Sequence, residues 1–302
     1  MKIMNKIKFI VILCVFGITS VFAQQNTQIT QYMYAMPVLN PAYSGSNGVP
    51  VVRVLGRTQW VDVVGAPRTA VLSFDTPIGR SLGLGVSVLH DRIGPVRENR
   101  ITTDLSYTVF TGSEGRLAFG LKAGLNTFDL GTLTTIDPDP INVPINKTSA
   151  ILGAGIFYYT DKFYAGFSSP NLLKLKYDDL DVDDNINTDD TAPFYITSGY
   201  VFEISDNIKL KPSTMLKMAS GSPISIDLST NLLLNDNLEF GLSYRVDDSL
   251  AAMMGIQATQ KFRVSYAYEY SLSDFGRFNS GTHELLLIYQ FNRRDMKSPR
   301  FF

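Results

Sequence analysis

Acidic side chains crowd one stretch of this chain, where seven aspartates fall within residues 178–190. Asp179, Asp181 and Asp183 alternate, and Asp190 closes a twelve-residue window that begins at Asp179. Carboxylates at the first, third, fifth and last positions are what a calcium loop offers its ion. Asp184 stands where that loop turns on glycine, Asp190 replaces the bidentate glutamate, and flanking helices are not expected. The stretch therefore reads as a solvated acidic loop, with Asp179, Asp181, Asp183 and Asp190 as weak calcium candidates. The two histidines, His90 and His283, lie far apart, and neither has a Gly-x-Ser-x-Gly nucleophile nearby. Their expected place is a polar network in a lumen or rim, not a triad. Met215 and Met218, like Met253 and Met254, read as wall residues, not copper ligands. No catalytic residue, cofactor or metal site is expected, and the protein is read as no enzyme.

Composition narrows the classes further. Of the 302 residues, 45% are apolar and only 18% charged. An average soluble domain carries about 25% charged residues. A formal net charge of −1 lacks the basic excess of a nucleic-acid binder. One cysteine, Cys14, excludes a disulfide framework and a thiolate zinc site.

Residues 1–23 read as a secretory signal peptide. Lys2, Lys6 and Lys8 precede an apolar run from Phe9 to Gly17, and Val21-Phe22-Ala23 supplies small residues before Gln24. Leu13 precedes Cys14 and apolar residues follow it, which does not fit a lipidation site. Beyond Ala23 no stretch approaches the apolar length of a transmembrane helix. Alternation recurs instead. Phe262, Val264, Tyr266, Tyr268 and Tyr270 alternate with Lys261, Arg263, Ser265, Ala267 and Glu269, and similar patterns run through 117–126, 224–232 and 238–245. One face is apolar and aromatic, the other charged or glycine-rich. Such strands behind a signal peptide suit a transmembrane barrel with apolar residues towards lipid.

The expected fold is all-β, a transmembrane antiparallel β-barrel of about 14 strands occupying 50–291. The strands fall near 50–60, 68–76, 82–90, 97–110, 116–128, 150–160, 162–169, 193–204, 207–218, 223–234, 237–246, 249–259, 261–271 and 282–291. Every long connection, including 61–67, 91–96, 129–149, 170–192 and 272–281, follows an odd strand. Bacterial barrels show that asymmetry, with short turns in the periplasm and long loops outside. Both barrel ends are accordingly expected in the periplasm, with 292–302 as a periplasmic tail. Leu285, Leu287, Tyr289 and Phe291 give the last strand an aromatic end. Lumen-facing charges of both signs are expected: Arg53, Arg57, Lys122, Lys209, Lys211, Arg245 and Arg263 against Asp75, Asp104, Asp227, Glu239, Glu269 and Glu284. Within them Arg57, Asp75, Arg245 and Glu284 are the candidate lumen network. Mixed signs favour a cross-linked interior over a selective channel.

Residues 24–49 precede the first strand and are expected on the periplasmic side as a plug, a strap or a docking peptide. Gln31, Tyr32, Met33, Tyr34, Asn40, Pro41, Tyr43 and Gly45 are the candidate residues. Asn40-Pro41-Ala42-Tyr43-Ser44-Gly45 carries turn chemistry.

The ordered motifs resemble the PorP/SprF family of Bacteroidetes type IX secretion outer-membrane proteins. They run from Thr30-Gln31-Tyr32-Met33-Tyr34 and Asn40-Pro41-Ala42-Tyr43-Ser44-Gly45 through Arg57-Thr58-Gln59-Trp60 and Gly65-Ala66-Pro67-Arg68-Thr69. Asp91-Arg92-Ile93-Gly94-Pro95, Gly166-Phe167-Ser168-Ser169-Pro170-Asn171 and Gly241-Leu242-Ser243-Tyr244-Arg245 continue the series. Asn26-Thr27 stands where the family commonly opens on Asp-Pro. The resemblance implies a non-enzymatic component of secretion and gliding that supports secretion or surface anchoring of cargo such as an adhesin. Its implied partners are outer-membrane lipid, the periplasmic ring or envelope lipoproteins of the system, and a secreted surface protein or its C-terminal domain. The alternative from lumen polarity alone is a passive porin or transporter for a small solute or lipophilic ligand. A lipid hydrolase stands behind both.

Overall fold

The computed structural model describes residues 28–131, 144–173, 192–220 and 222–291. A short buried segment comes first, with a helical turn α1 (Met36–Leu39) and a 3₁₀ turn at Pro41–Tyr43. The strands follow: β1 (Val51–Thr58), β2 (Arg68–Ile78), β3 (Leu82–Ile93), β4 (Val96–Thr111) and β5 (Gly115–Leu130). Next come β6 (Ile145–Tyr159), β7 (Phe163–Ser169), β8 (Phe194–Tyr200), β9 (Phe202–Ser205) and β10 (Ile208–Met218). The wall ends with β11 (Ser225–Leu234), β12 (Leu238–Arg245), β13 (Ser249–Gln257), β14 (Phe262–Ser271) and β15 (Thr282–Gln290).

Every neighbouring pair is antiparallel, β15 pairs with β1, and β10 pairs with both β8 and β11. The sheet thus closes on itself. Closure satisfies the backbone groups that hydrocarbon would leave unpaired. β8 and β9 are two halves of one stave, interrupted at Val201, whose amide bonds the Lys162 carbonyl at 2.9 Å. Counted together they give fourteen staves, so the strand expected at 193–204 is present with a break in it.

Residue alternation decides what faces lipid. In β2, Thr69, Val71, Ser73 and Asp75 are buried, while Ala70 and Leu72 are exposed on the outside. The outward positions of aligned strands form aliphatic rows such as Val54, Leu72, Val88, Ile101 and Leu125. Exposed aromatics flank them: Tyr244, Tyr266, Tyr268 and Tyr270 near the long-loop end, and Phe110, Phe202, Tyr289 and Phe291 near the other. Such girdles are a membrane barrel's interfacial anchors.

Connections after even staves are tight. The β11–β12 hairpin turns on Asn235 and Asp236, both in the left-handed region at φ +51 and +53. That is the primed two-residue turn whose twist suits a hairpin, and Asn and Asp tolerate it best after glycine. One odd connection is tighter than the sequence suggests. The expected loop at 91–96 narrows to Gly94-Pro95 because β3 runs on to Ile93 and β4 starts at Val96.

Leu121 lies at the centre of the outward face of β5 and is 66% exposed to what surrounds the barrel. Arginine there is expected to cost about 2–4 kcal/mol in denaturant unfolding from lipid vesicles. An unchanged midpoint would contradict a lipid-facing position.

Candidate functional site

The segment before β1 lies inside the barrel. Gln31, Tyr32 and Ala42 are wholly buried, and Tyr34, Met36 and Asn40 nearly so. A peptide there loses water around every amide and carbonyl, each of which then needs a partner. The segment's own turns meet part of that need, as where the Tyr34 amide bonds the Gln31 carbonyl and the Asn40 amide the Met36 carbonyl, and the wall meets another part. Glu284 accepts the Thr30 and Gln31 amides at 2.7 and 3.1 Å. Lys122 donates to the Pro37 carbonyl at 3.1 Å, Ser168 to the Leu39 carbonyl at 2.9 Å and Ser106 to the Ser44 carbonyl at 2.6 Å. Asp75 accepts the Gly45 amide at 3.1 Å.

These contacts fix the path. Glu284, Arg57 and Glu269 lie near the long-loop end of their strands, and Thr30 bonds all three. Gly45 sits beside Pro77 and Gly83, at the short-turn end. The chain therefore crosses the lumen from near the long-loop mouth to the short-turn mouth, where it enters β1. Its place before β1 determined only the lower end of that path.

Glycines make room for it. On the lumen face of β3, β5, β6 and β7, a Cβ at Gly83 or Gly85 would meet Ser44, one at Gly120 would meet Pro41 and Ala42, and one at Gly155 or Gly166 would meet Asn40. The Asn40–Gly45 turn thus presses its backbone into a groove floored by glycine. Asn40 braces the turn by accepting from the Ala42 amide at 2.9 Å and donating to the Ile156 carbonyl at 3.1 Å. Tyr43 packs edge-on to Phe157, with ring centroids 5.3 Å apart. Gly45 itself has φ +76 and lies against backbone, so a side chain there is excluded twice.

Charges on the lumen face pair between neighbouring and next-neighbouring strands of the wall. Arg57 binds Glu284 at 2.5 Å and Glu269 at 3.1 Å, and Arg245 binds Asp227 at 2.9 Å and Glu269 at 3.6 Å. Lys122 meets Asp104 at 2.7 Å, Arg53 meets Asp75, and Arg263 meets Glu239. The Tyr34 hydroxyl donates to Glu239, and its ring lies 4.9 Å from the Lys211 ammonium and 5.0 Å from the Arg263 guanidinium. Met33 joins Met215 and Met253 in the apolar part of the interior. Lys209 lies at the short-turn rim, bonded to Asp236 at 2.6 Å.

All four candidate network residues thus meet the buried segment or one another's partners. Arg57 and Glu284 bind it together, Asp75 holds Gly45, and Arg245 reaches it through Glu269, which accepts from the Thr30 hydroxyl at 2.5 Å. Sequence reading noted glycines on this face without assigning them a purpose; the signal was their coincidence with positions that should point inward.

Of the lumen and the rim offered for the histidines, neither side chain takes the lumen: both lie near the long-loop ends of their strands. Both are on the outer face of the wall, where His90 bonds Asn99 at 2.7 Å and His283 bonds the Tyr266 hydroxyl at 2.5 Å. The alternation of β3 and β15 puts the buried acids Asp91 and Glu284, one residue on, towards the lumen instead. Met215 and Met253 face inward, while Met254 faces out. Among the described residues no group of three acidic, His or Cys side chains could hold a metal. Asp179, Asp181, Asp183 and Asp190 lie outside the described residues, as do 1–27 and 292–302.

A family model for the type IX secretion system membrane protein PorP/SprF matches residues 21–289. The chain belongs to that family. No curated protein sequence matches it. Among solved structures, a Pseudomonas aeruginosa FadL homologue is similar with a TM-score of 0.52 and 13% identity, covering 90% of this chain and 100% of the other. The Acinetobacter baumannii outer membrane protein Omp33 gives 0.50 and 10%, over 80% of this chain and 98% of that one. The CymD monoaromatic hydrocarbon channel gives 0.50 and 13%, over 91% and 96%. These likenesses are to outer-membrane barrels, and the PorP/SprF chain is an integral outer-membrane protein. Its family and its fold are both of non-enzymatic kinds.

Two substitutions test the internal packing. Glu284→Ala removes the acceptor of two amides and the nearer partner of Arg57, and is expected to cost about 3–5 kcal/mol in unfolding. Gly120→Leu is expected to displace the Asn40–Gly45 turn. A cysteine at Met36 should then react with maleimide about tenfold faster or more than in the otherwise native barrel. Equal rates would mean that the turn does not depend on the groove.

Proposed function

We propose that this PorP/SprF barrel acts in type IX secretion as a closed outer-membrane platform, which supports secretion or surface anchoring of a cargo such as an adhesin. It works by contact, with no chemistry of its own. The observation that carries this reading is the segment 28–49 laid through the lumen and bonded to the wall at both ends. A pathway for solutes needs an aqueous path, and here the interior arginines and carboxylates are paired with one another and with the segment. The interfaces left for partners are the two rims. At the short-turn rim the periplasmic ring or envelope lipoproteins of the system are the expected partners. At the long-loop rim the expected partner is the secreted surface protein or its C-terminal domain.

Affinity purification from native membranes, after cross-linking from cysteines placed at Arg80 on one rim and Val64 on the other, tests this directly. A secretion-system component captured from the first position and a secreted surface protein from the second are expected. Recovery of neither would sink the proposal. The alternative of passive transport by the same barrel predicts partner-free barrels that accumulate solute in vesicles.

A further inference from the structure

Three arginines stand in line on the outside of the barrel, and neither the plug nor the lumen network uses them. Register pairs Arg68 of β2 with Arg92 of β3, and Arg92 with Arg97 of β4. All three are exposed, on the same outward face as Leu72, Val88 and Ile101. Like charges directly opposite each other on one face of a sheet repel and destabilise it. Arg68 and Arg92 have no acidic cross-strand neighbour in this row. Arg92 Nε donates to the Gly94 carbonyl at 3.4 Å, and none of the three makes an ion pair among the described residues. The acids in the area are otherwise engaged or aside: Asp91 points inward to Thr69, Glu98 binds Arg100, and Asp62 accepts from Ser280. Asp129 faces Arg97 directly across the β4–β5 ladder on the same outward side, so one carboxylate ends the row beyond Arg97.

The row also borders a cleft. The loop 59–67 leans over β2 and β3, with the Gly94 amide bonded to the Gly65 carbonyl at 2.8 Å. Between them is a cleft of about 250 Å³, lined by Gln59, Trp60, Arg68 and Arg92 among others. Its roof is held in place, since Val61 exchanges backbone bonds with Gly281 and Ser280 at 2.9 Å and Trp60 packs edge-on to Phe275.

Height identifies the occupant. Arg68 lies four residues above Leu72 on the same strand, on the order of 13 Å along it. With the tilt of a membrane barrel this is roughly 10 Å above the aliphatic row along the membrane normal. That row itself lies above the mid-plane. Arg97 faces Asp129, eight residues beyond the central Leu121 on β5 and on the order of 20 Å above it along the normal. This is past the ~12 Å half-height of the apolar band and in the headgroup layer of the outer leaflet. We propose that Arg68, Arg92 and Arg97 bind the phosphate of an outer-leaflet glycolipid headgroup, with the Trp60 cleft receiving part of the adjoining sugar. Guanidinium forks match phosphate oxygens bidentately, and three of them across adjacent strands span about 10 Å. The anion removes the repulsion that the sheet otherwise carries. The proposal rests on the orientation with long loops outward, and not on the plug or on any cargo.

Native mass spectrometry of the detergent-solubilised full-length barrel tests it, with bisphosphorylated lipid A, enzymatically dephosphorylated lipid A and inorganic phosphate as probes. The unsubstituted barrel is expected to bind the bisphosphorylated lipid about tenfold or more tightly than the dephosphorylated one. R68Q/R92Q/R97Q should abolish that preference, and R92Q alone should weaken it. Inorganic phosphate should bind too weakly to be retained. Equal binding of the two lipids, or a preference unchanged in R92Q, would overturn the proposal. Retention of inorganic phosphate as strongly as the lipid would overturn the lipid source. The comparison of the two lipids needs no variant, so a misfolded triple mutant leaves the test intact.

Discussion

A peptide drawn into the interior of a barrel must have its amides and carbonyls met by its own turns or by the wall, and the polar lining beside it answers the part its turns leave open. Asp75, Lys122, Ser106 and Ser168 each sit where one backbone group of the segment 28–49 has to be satisfied, and Glu284 where two do. Leaving such a group unpaired costs roughly 1–3 kcal/mol, so the bonds set the path of the chain more firmly than apolar packing could. Glycines on β3, β5, β6 and β7 are the steric half of the same requirement. They let the backbone of the segment approach the backbone of the wall.

The charges follow from it in turn. A carboxylate placed to hold an amide inside a barrel has to be balanced, because an isolated buried charge is far more costly than a paired one. Glu284 is balanced by Arg57, Asp75 by Arg53 and Glu239 by Arg263. Arg57 and Arg245 then share Glu269, which joins two pairs into one connected set. Mixed signs in the lumen are thus a consequence of holding a peptide. A pore that selects ions would arrange one sign along an open path.

Much of the wall was legible from the chain alone, because a strand with one face in lipid must alternate with period two. The β14 pattern from Phe262 to Tyr270 and the Asn235-Asp236 turn declare themselves in this way. The interior was legible only by residue type. Arg57 and Glu284 are separated by 227 positions, and Thr30 and Glu284 by 254, so nothing local couples them. The direction of the segment inside the lumen was hidden for the same reason. The break at Val201 has no sequence mark, since Tyr200, Val201 and Phe202 all favour strand. The alignment of Arg68, Arg92 and Arg97 emerges only from the register of two hairpins.

The account stands or falls on whether the crossing segment closes the barrel. Single-channel recording in planar bilayers, with the purified unsubstituted protein at neutral pH, measures this most directly. The account predicts insertion without stable open-channel current. Steady ohmic currents that persist across moderate voltages would contradict it, and would return the barrel to the class of passive pores.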